Sequence, residues 1–258
     1  MLAAMSKGAD IVARVERGES VRKVTSSLGI PLSTAYYHAR DHCRKQSRME
    51  IERLALKERG YLLGITVGDG SLIRNTQRGE FLVKIALDGL RDRDISHFLS
   101  SLFEKCGKRV SVHAERRMVI LRIWSRSFYS YVLEHVRFEK EGSSRHHMRL
   151  LLDVNDWDRG FTIGFIGGLI DSDSHIQRGK RNGHYEAVII TCSASLGDQV
   201  RDLCKAQHIN VLCRLDRRGK PDERPRYIIR IPSGDLNSLC SELLCMKHAR
   251  YHGGPGRI

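Results

Sequence analysis

The chain has 258 residues, 41% of them hydrophobic, which suffices for two or three modest domains with real cores and excludes a disordered tail. Its 44 Lys and Arg against 30 Asp and Glu leave a net charge of +14 spread along the whole length, a field that favours polyanionic partners. Seven cysteines, in odd number and without a C-x-x-C pair, argue against a zinc ribbon or a closed disulfide framework, and no apolar run reaches the roughly 18 residues of a membrane span or forms a signal peptide. An intracellular, reducing setting is therefore expected, in cytoplasm, nucleoid or organelle.

The first 46 residues read as a small helical module. Ile11, Val12 and Val15 form a helical stripe, a second short helix runs from about Val21 to Leu28, and Gly29 breaks it. "PLSTAYYHAR" then starts a third helix with Ser33 or Thr34 near its N-terminus. The pattern resembles the helix-turn-helix of resolvase- and transposase-type modules. That resemblance implies a recognition helix over about residues 32–43, with Ser33, Thr34, Tyr37, His38 and Arg40 as DNA contacts. Residues 47–58, rich in charge, are expected to form a linker or connecting helix.

Beyond residue 58 the chain repeats itself. Shifted by 104 residues, "GYLLGITVGDGSLIR" from Gly60 lies over "GFIGGLIDSDSHIQR" from Gly164, and "FLVKIAL" from Phe81 lies over "YEAVIIT" from Tyr185. After a small length change "VILRIWS" meets "YIIRIPS", which sets Arg122 over Arg230. Segments rich in Val, Ile and Tyr alternate with segments of three- and four-residue apolar spacing, so each copy reads as helix, strand, strand, helix, strand, strand, helix. An α+β unit used twice is expected, with halves at 59–155 and 156–258.

The first helix of each copy carries glycines four apart, Gly64 and Gly68, then Gly164 and Gly168. Glycine costs a helix about 1 kcal/mol against alanine, a loss that close backbone packing between the two helices would offset. Each helix is expected to end on an aspartate, Asp69 or Asp173. A carboxylate there faces the negative end of the helix dipole, and two brought together repel. A hard divalent cation held by Asp69 and Asp173 resolves both conflicts.

"LLGITVGDG" (62–70) and "IGGLIDSDS" (166–174) resemble the two signature helices of the LAGLIDADG homing endonucleases in their single-chain form, over roughly residues 58–250. The resemblance implies duplicated αββαββα halves with pseudo-two-fold symmetry, both signature helices at the interface and a saddle of antiparallel strands along DNA. It assigns catalytic Mg²⁺ or Mn²⁺ to Asp69 and Asp173, with the preceding Gly68 and Ser172 counted in the metal site. Lys140 and Lys247, after the last strand of each copy, become transition-state stabilisers. The earlier acidic position of the motif is Asp171 in one copy and Val67 in the other, and Ser174 replaces the final glycine of the second motif.

Sequence reading of a duplex falls to strands and turns dense in Arg, Lys, Gln and Asn, which can address base edges or phosphates. The first copy offers Arg74, Asn75, Gln77, Arg78, Lys84 and Arg122. Gln177, Arg178, Lys180, Arg181 and Arg230 come from the second, with Arg217, Arg218 and Lys220 in a further basic turn suited to phosphates. The expected protein is a monomeric, metal-dependent endonuclease that cuts a long double-stranded DNA site and is free-standing or intron-encoded. A regulator that binds DNA without cutting it, and a maturase that binds intron RNA, are the alternatives.

Overall fold

The computed structural model describes residues 2–17, 19–47, 49–75, 77, 79–138, 148–151, 156–178, 185–216, 226–238 and 245–247. The chain divides into two units, residues 1–49 and 50–258.

Unit one holds α1 (Leu2–Glu16), α2 (Val21–Leu28) and α3 (Leu32–Ser47). Ser20 caps α2 by accepting from the Lys23 amide at 3.2 Å, and Gly29 ends it with φ of 63°, a left-handed conformation in which a Cβ would be strained. Ile11, Val15, Val21, Val24, Ala35 and Ala39 make the core, with Leu28 and Ile30 packed on it. Alanine at 35 and 39, one turn apart, keeps the buried face of α3 slim. The opposite face is exposed and carries Ser33, Thr34, Tyr37 and His38.

Unit two opens earlier than the linker expectation allows. Ile51 and Leu54 are buried, the Glu50 amide donates to the Cys106 carbonyl at 3.1 Å, and the Arg59 guanidinium donates to the Leu54 carbonyl at 2.9 Å. Residues 50–58 are thus part of the body, because Ile51 and Leu54 have a core to enter.

The first half runs α4 (Leu56–Asp69), β1 (Gly70–Asn75), β2 (Glu80–Asp88), α5 (Arg93–Lys105), β3 (Ser111–Glu115), β4 (Met118–Trp124) and α6 (Arg126–His135). A short ribbon of β5 (Val136–Phe138) and β6 (Met148–Leu150) follows, a feature the sequence did not announce. The second half runs α7 (Arg159–Asp171), β7 (Ser174–Arg178), β8 (Tyr185–Thr191), α8 (Ala194–Ala206), β9 (Leu212–Asp216), β10 (Arg226–Ile231) and α9 (Ser233–Ser238). Both sheets are antiparallel with the same topology, β1-β2-β4-β3 and β7-β8-β10-β9. Even the register repeats, Lys84 facing Arg122 as Val188 faces Arg230.

Alternation decides which face is buried. Val83, Ile85 and Leu87 of β2 and Leu121 and Ile123 of β4 point inward, while Lys84 and Arg122 lie on the outer face. Helical spacing does the same for α5, through Ile95, Leu99, Leu102 and Phe103, and for α8, through Leu196, Val200, Leu203 and Cys204. Ser125 and Ser193 cap α6 and α8 by accepting from the amides of Phe128 and Leu196. Gln199 of α8 also binds both polar groups of the Leu150 backbone, which docks β6 onto the second half. Among the described residues no helix is long and apolar enough to cross a membrane.

Candidate metal and nucleic-acid site

The glycine stripes do what their spacing suggests. A Cβ on Gly60 would collide with the Phe161 carbonyl, and one on Gly164 with the Lys57 carbonyl. Likewise Gly64 faces the Phe165 carbonyl, and Gly168 faces that of Tyr61. The same 104-residue shift relates each contact to its mate, so α4 and α7 cross backbone to backbone about a pseudo-two-fold axis. Lower down, the symmetry-related pair Gly68 and Ser172 meet each other: the Ser172 side chain fills the space a Cβ on Gly68 would need.

Asp69 and Asp173 each follow one member of that pair, so both carboxylates leave the chain at the foot of the crossing. Their settings differ. Asp69 is the last residue of α4 and half-buried, whereas α7 ends at Asp171, leaving Asp173 in an exposed turn. The helix-ending position expected for Asp173 is thereby corrected. Ser172 breaks the helix with ψ of −89°, its hydroxyl donates back to the Gly168 carbonyl at 2.9 Å, and Ser174 donates to the Ile170 carbonyl at 2.5 Å. Serine hydroxyls thus satisfy the last carbonyls of α7, which lets the chain peel away two residues early.

Asp171 is the residue whose importance sequence reading missed. It is fully buried, and its carboxylate accepts from the Tyr61 hydroxyl at 2.8 Å, the Met246 and Lys247 amides at 2.7 and 2.8 Å, and the Cys245 thiol at 3.3 Å. One side chain therefore ties α4, α7 and the 245–247 segment together. Burial pushes its carboxyl above the ordinary range against the pull of the two amides, and burial next to this carboxylate drives the Tyr61 hydroxyl well up. The pseudo-symmetric counterparts of Asp171 and Tyr61 are Val67 and Phe165, which cannot make the same tie. That paired polar substitution was the available signal.

Through this tie Lys247 reaches the foot of the helix crossing. Its ammonium donates to the carbonyls of Ser172 and Ser174, each at 3.2 Å, and so brackets Asp173 from both sides. The Ser172 carbonyl is thereby engaged by a cation already, which leaves the carboxylates as the donors better suited to a metal ion. Two carboxylates with water and phosphate oxygens are a sufficient donor set for Mg²⁺ or Mn²⁺, and no larger cluster of His, Cys, Asp and Glu forms among the described residues. Lys140 lies outside the described residues.

On the outer face of the first sheet Lys84 stands between Ser71 and Arg122, and Arg122 stands next to Ser111. The Arg122 Nε is a buried donor with no hydrogen-bond partner among the described residues. In the second half Arg230 lies 3.6 Å from the Glu186 carboxylate, which accepts from the Gln177 amide at 2.6 Å, and Gln177 in turn lies 3.2 Å from His175 Nε2. Ser71, His175 and Glu186 were missing from the sequence-based set.

Arg74 departs from that face. It sits opposite Phe81, on the inward side of the alternation, with its guanidinium 5.5 Å from the ring centre and Arg126 at 5.4 Å. Arg178 occupies the same position of the second sheet, opposite Tyr185. Asn75 ends β1 half-buried and Gln77 is exposed in the turn. Arg78, Lys180, Arg181, Arg217, Arg218 and Lys220 fall outside the described residues, as does the side chain of Arg40.

Neither a protein-family model nor a curated protein matches the chain by sequence. Solved structures do. The crystal structure of I-DmoI in complex with DNA and Ca aligns with a TM-score of 0.54 at 18% identity, over 79% of this chain and 99% of that one. I-DmoI in complex with DNA and Mn gives 0.52 at 17% identity, over 73% and 97%. The N-terminal LAGLIDADG domain of WhiA gives 0.50 at 13% identity, over 78% and 89%. With its duplicated antiparallel sheets and glycine-packed central helices, the chain has the LAGLIDADG homing-endonuclease fold.

Proposed function

We propose that the protein is a site-specific endonuclease that hydrolyses both strands of a long double-stranded DNA site with divalent metal. The observation that carries the reading is the foot of the helix crossing, where Gly68 and Ser172 touch and the next residue on each side is an aspartate. One carboxylate would serve each strand. A Mg²⁺ or Mn²⁺ ion bound there supplies an activated water and neutralises charge that develops on the phosphate. Asp69 and Asp173 would hold such metal, one at each strand's site, and Lys247, kept beside Asp173 by its bonds to Ser172 and Ser174, would add fixed positive charge at the second site. Lys140 takes the same part at the first.

Lys84, Arg122, Gln177 and Arg230 bring donors to the outer sheet faces, and the net charge of +14 favours the duplex over the whole surface. The similarity to I-DmoI, whose structures hold DNA with Ca or Mn, supports the same reading. Unit one, whose α3 exposes Ser33, Thr34, Tyr37 and His38, is assigned to DNA as a helix-turn-helix that lengthens the contacted site.

A second reading, DNA binding without cleavage, is favoured by the unequal setting of the two aspartates, Asp69 closing α4 half-buried and Asp173 in an exposed turn past the end of α7. The experiment that separates them is cleavage of a randomised duplex library in Mg²⁺ by the wild type, Asp69→Asn and Asp173→Asn. Cutting at one discrete site by the wild type, with binding but no double-strand cleavage by both variants, is expected. Selection of a site that the wild type never cuts gives the second reading the protein.

A further inference from the structure

The two sheets repeat in topology but differ in one row of their outer faces. In the first, Ile73, Leu82 and Trp124 are direct neighbours across β1, β2 and β4, because Ile73 faces Leu82 and Leu82 faces Trp124. Strand alternation puts them on the face of Lys84 and Arg122, two residues along. Ile73 is 42% exposed and Trp124 45% exposed, with Leu82 buried between them. Exposed side chains of this size, adjoining two cations on a sheet face, call for an apolar partner that is itself attached to an anion.

The 104-residue shift turns Ile73 into Gln177 and Leu82 into Glu186, and these two also face each other. After the small length change that sets Arg122 over Arg230, Trp124 becomes Pro232, just past the end of β10. Where the first half presents a strip of hydrocarbon, the second presents a carboxylate oriented by Gln177 and Arg230, with His175 beside Gln177. Duplication preserved the backbone while this row changed chemistry altogether.

Duplex DNA offers a match for each. In the major groove the thymine methyl is the one apolar group on a base edge, and the amino groups of cytosine and adenine are the donors a carboxylate accepts from. We propose that the pseudo-equivalent rows read unlike bases: Ile73 and Trp124, with buried Leu82 as the floor between them, take thymine methyl groups in one half-site, while Glu186, held by Gln177 and Arg230, accepts from a base amino group in the other. The target is then asymmetric by construction, and Glu186 is a specificity-determining residue even though its charge opposes the phosphate backbone. This inference rests on the assignment of the outer faces to DNA.

Binding of the full chain to its selected duplex tests it, with deoxyuridine replacing every thymine of one half-site at a time, since this change removes the methyl and nothing else. Loss of affinity of about three- to fivefold per contacted methyl is expected in one half-site, with no change in the other. Glu186→Gln, close to isosteric, is expected to lower base discrimination about tenfold at a position in the half-site that deoxyuridine leaves unaffected. Insensitivity to deoxyuridine in both halves, or both effects in the same half, overturns the proposal. A protein that selects no duplex overturns it together with the nuclease assignment. One that binds and shows the two effects but never cuts upholds the proposal and defeats only the nuclease.

Discussion

Gly168→Ala should destabilise the protein, although alanine ordinarily stabilises a helix by about 1 kcal/mol over glycine. A Cβ at 168 would stand 2.6 Å from the Ile65 amide nitrogen and 3.0 Å from the Gly64 Cα, and would collide with the Tyr61 carbonyl. All three are backbone atoms of α4, so no rotamer change relieves the contact and the two helices must separate by most of an ångström. Overpacking of this kind costs about 1–3 kcal/mol, and a rigid backbone contact belongs at the upper end, which leaves a net loss of about 2 kcal/mol after the propensity gain. For a unit of this size the midpoint of thermal unfolding should fall by about 4–8 °C. Gly234 of α9, where a Cβ would meet no atom within 4 Å, serves as the control: Gly234→Ala should be neutral or slightly stabilising. Thermal unfolding followed by circular dichroism reads both. Because the same separation displaces Asp69 from Asp173, cleavage by Gly168→Ala should drop by about 100-fold below the unfolding temperature. An alanine variant as stable as the wild type, with full activity, would refute the backbone-to-backbone crossing.

Tyr61→Phe removes a donor from a buried carboxylate and should cost about 1.5–3 kcal/mol in urea denaturation, while Phe165→Tyr, in the half where Val67 takes the place of Asp171, gains no such partner and should not compensate. Alkaline stability has a sign set by two thiols. Burial pushes Cys106 up to about 11 and Cys204 to about 12, so folding favours their protonated forms. Their contribution is intact below the ordinary thiol value and is lost as pH rises from about 9 toward 12, which urea midpoints across that window will register. In the native protein at pH 8 both should resist a thiol reagent that labels the exposed Cys192. Finally, DNA affinity should fall about 10³- to 10⁵-fold between 50 and 200 mM salt if six to ten phosphates are contacted, and a flat dependence in filter binding would rule out the polyanion surface.

Much of this molecule was legible as sequence because the governing signals are local or periodic. Apolar spacing and β-branched runs marked the helices and the four-stranded sheets of the two halves, though not the β5–β6 ribbon, and the 104-residue self-similarity foretold that one sheet topology occurs twice. Glycines four apart foretold a close helix crossing, since hydrogen as a side chain in a buried helix has little other use. What only the tertiary structure decided concerns pairs distant in the chain. Asp171 meets Tyr61 across 110 residues and Lys247 across 76, and no periodicity encodes such an encounter. Arg74 and Lys84 are both basic residues on adjacent strands, yet register and pleat send them to opposite faces, one over Phe81 and one beside Arg122. Composition names the chemistry a chain carries, whereas which side chains act together depends on strand register and helix crossing, both set by packing of the whole body.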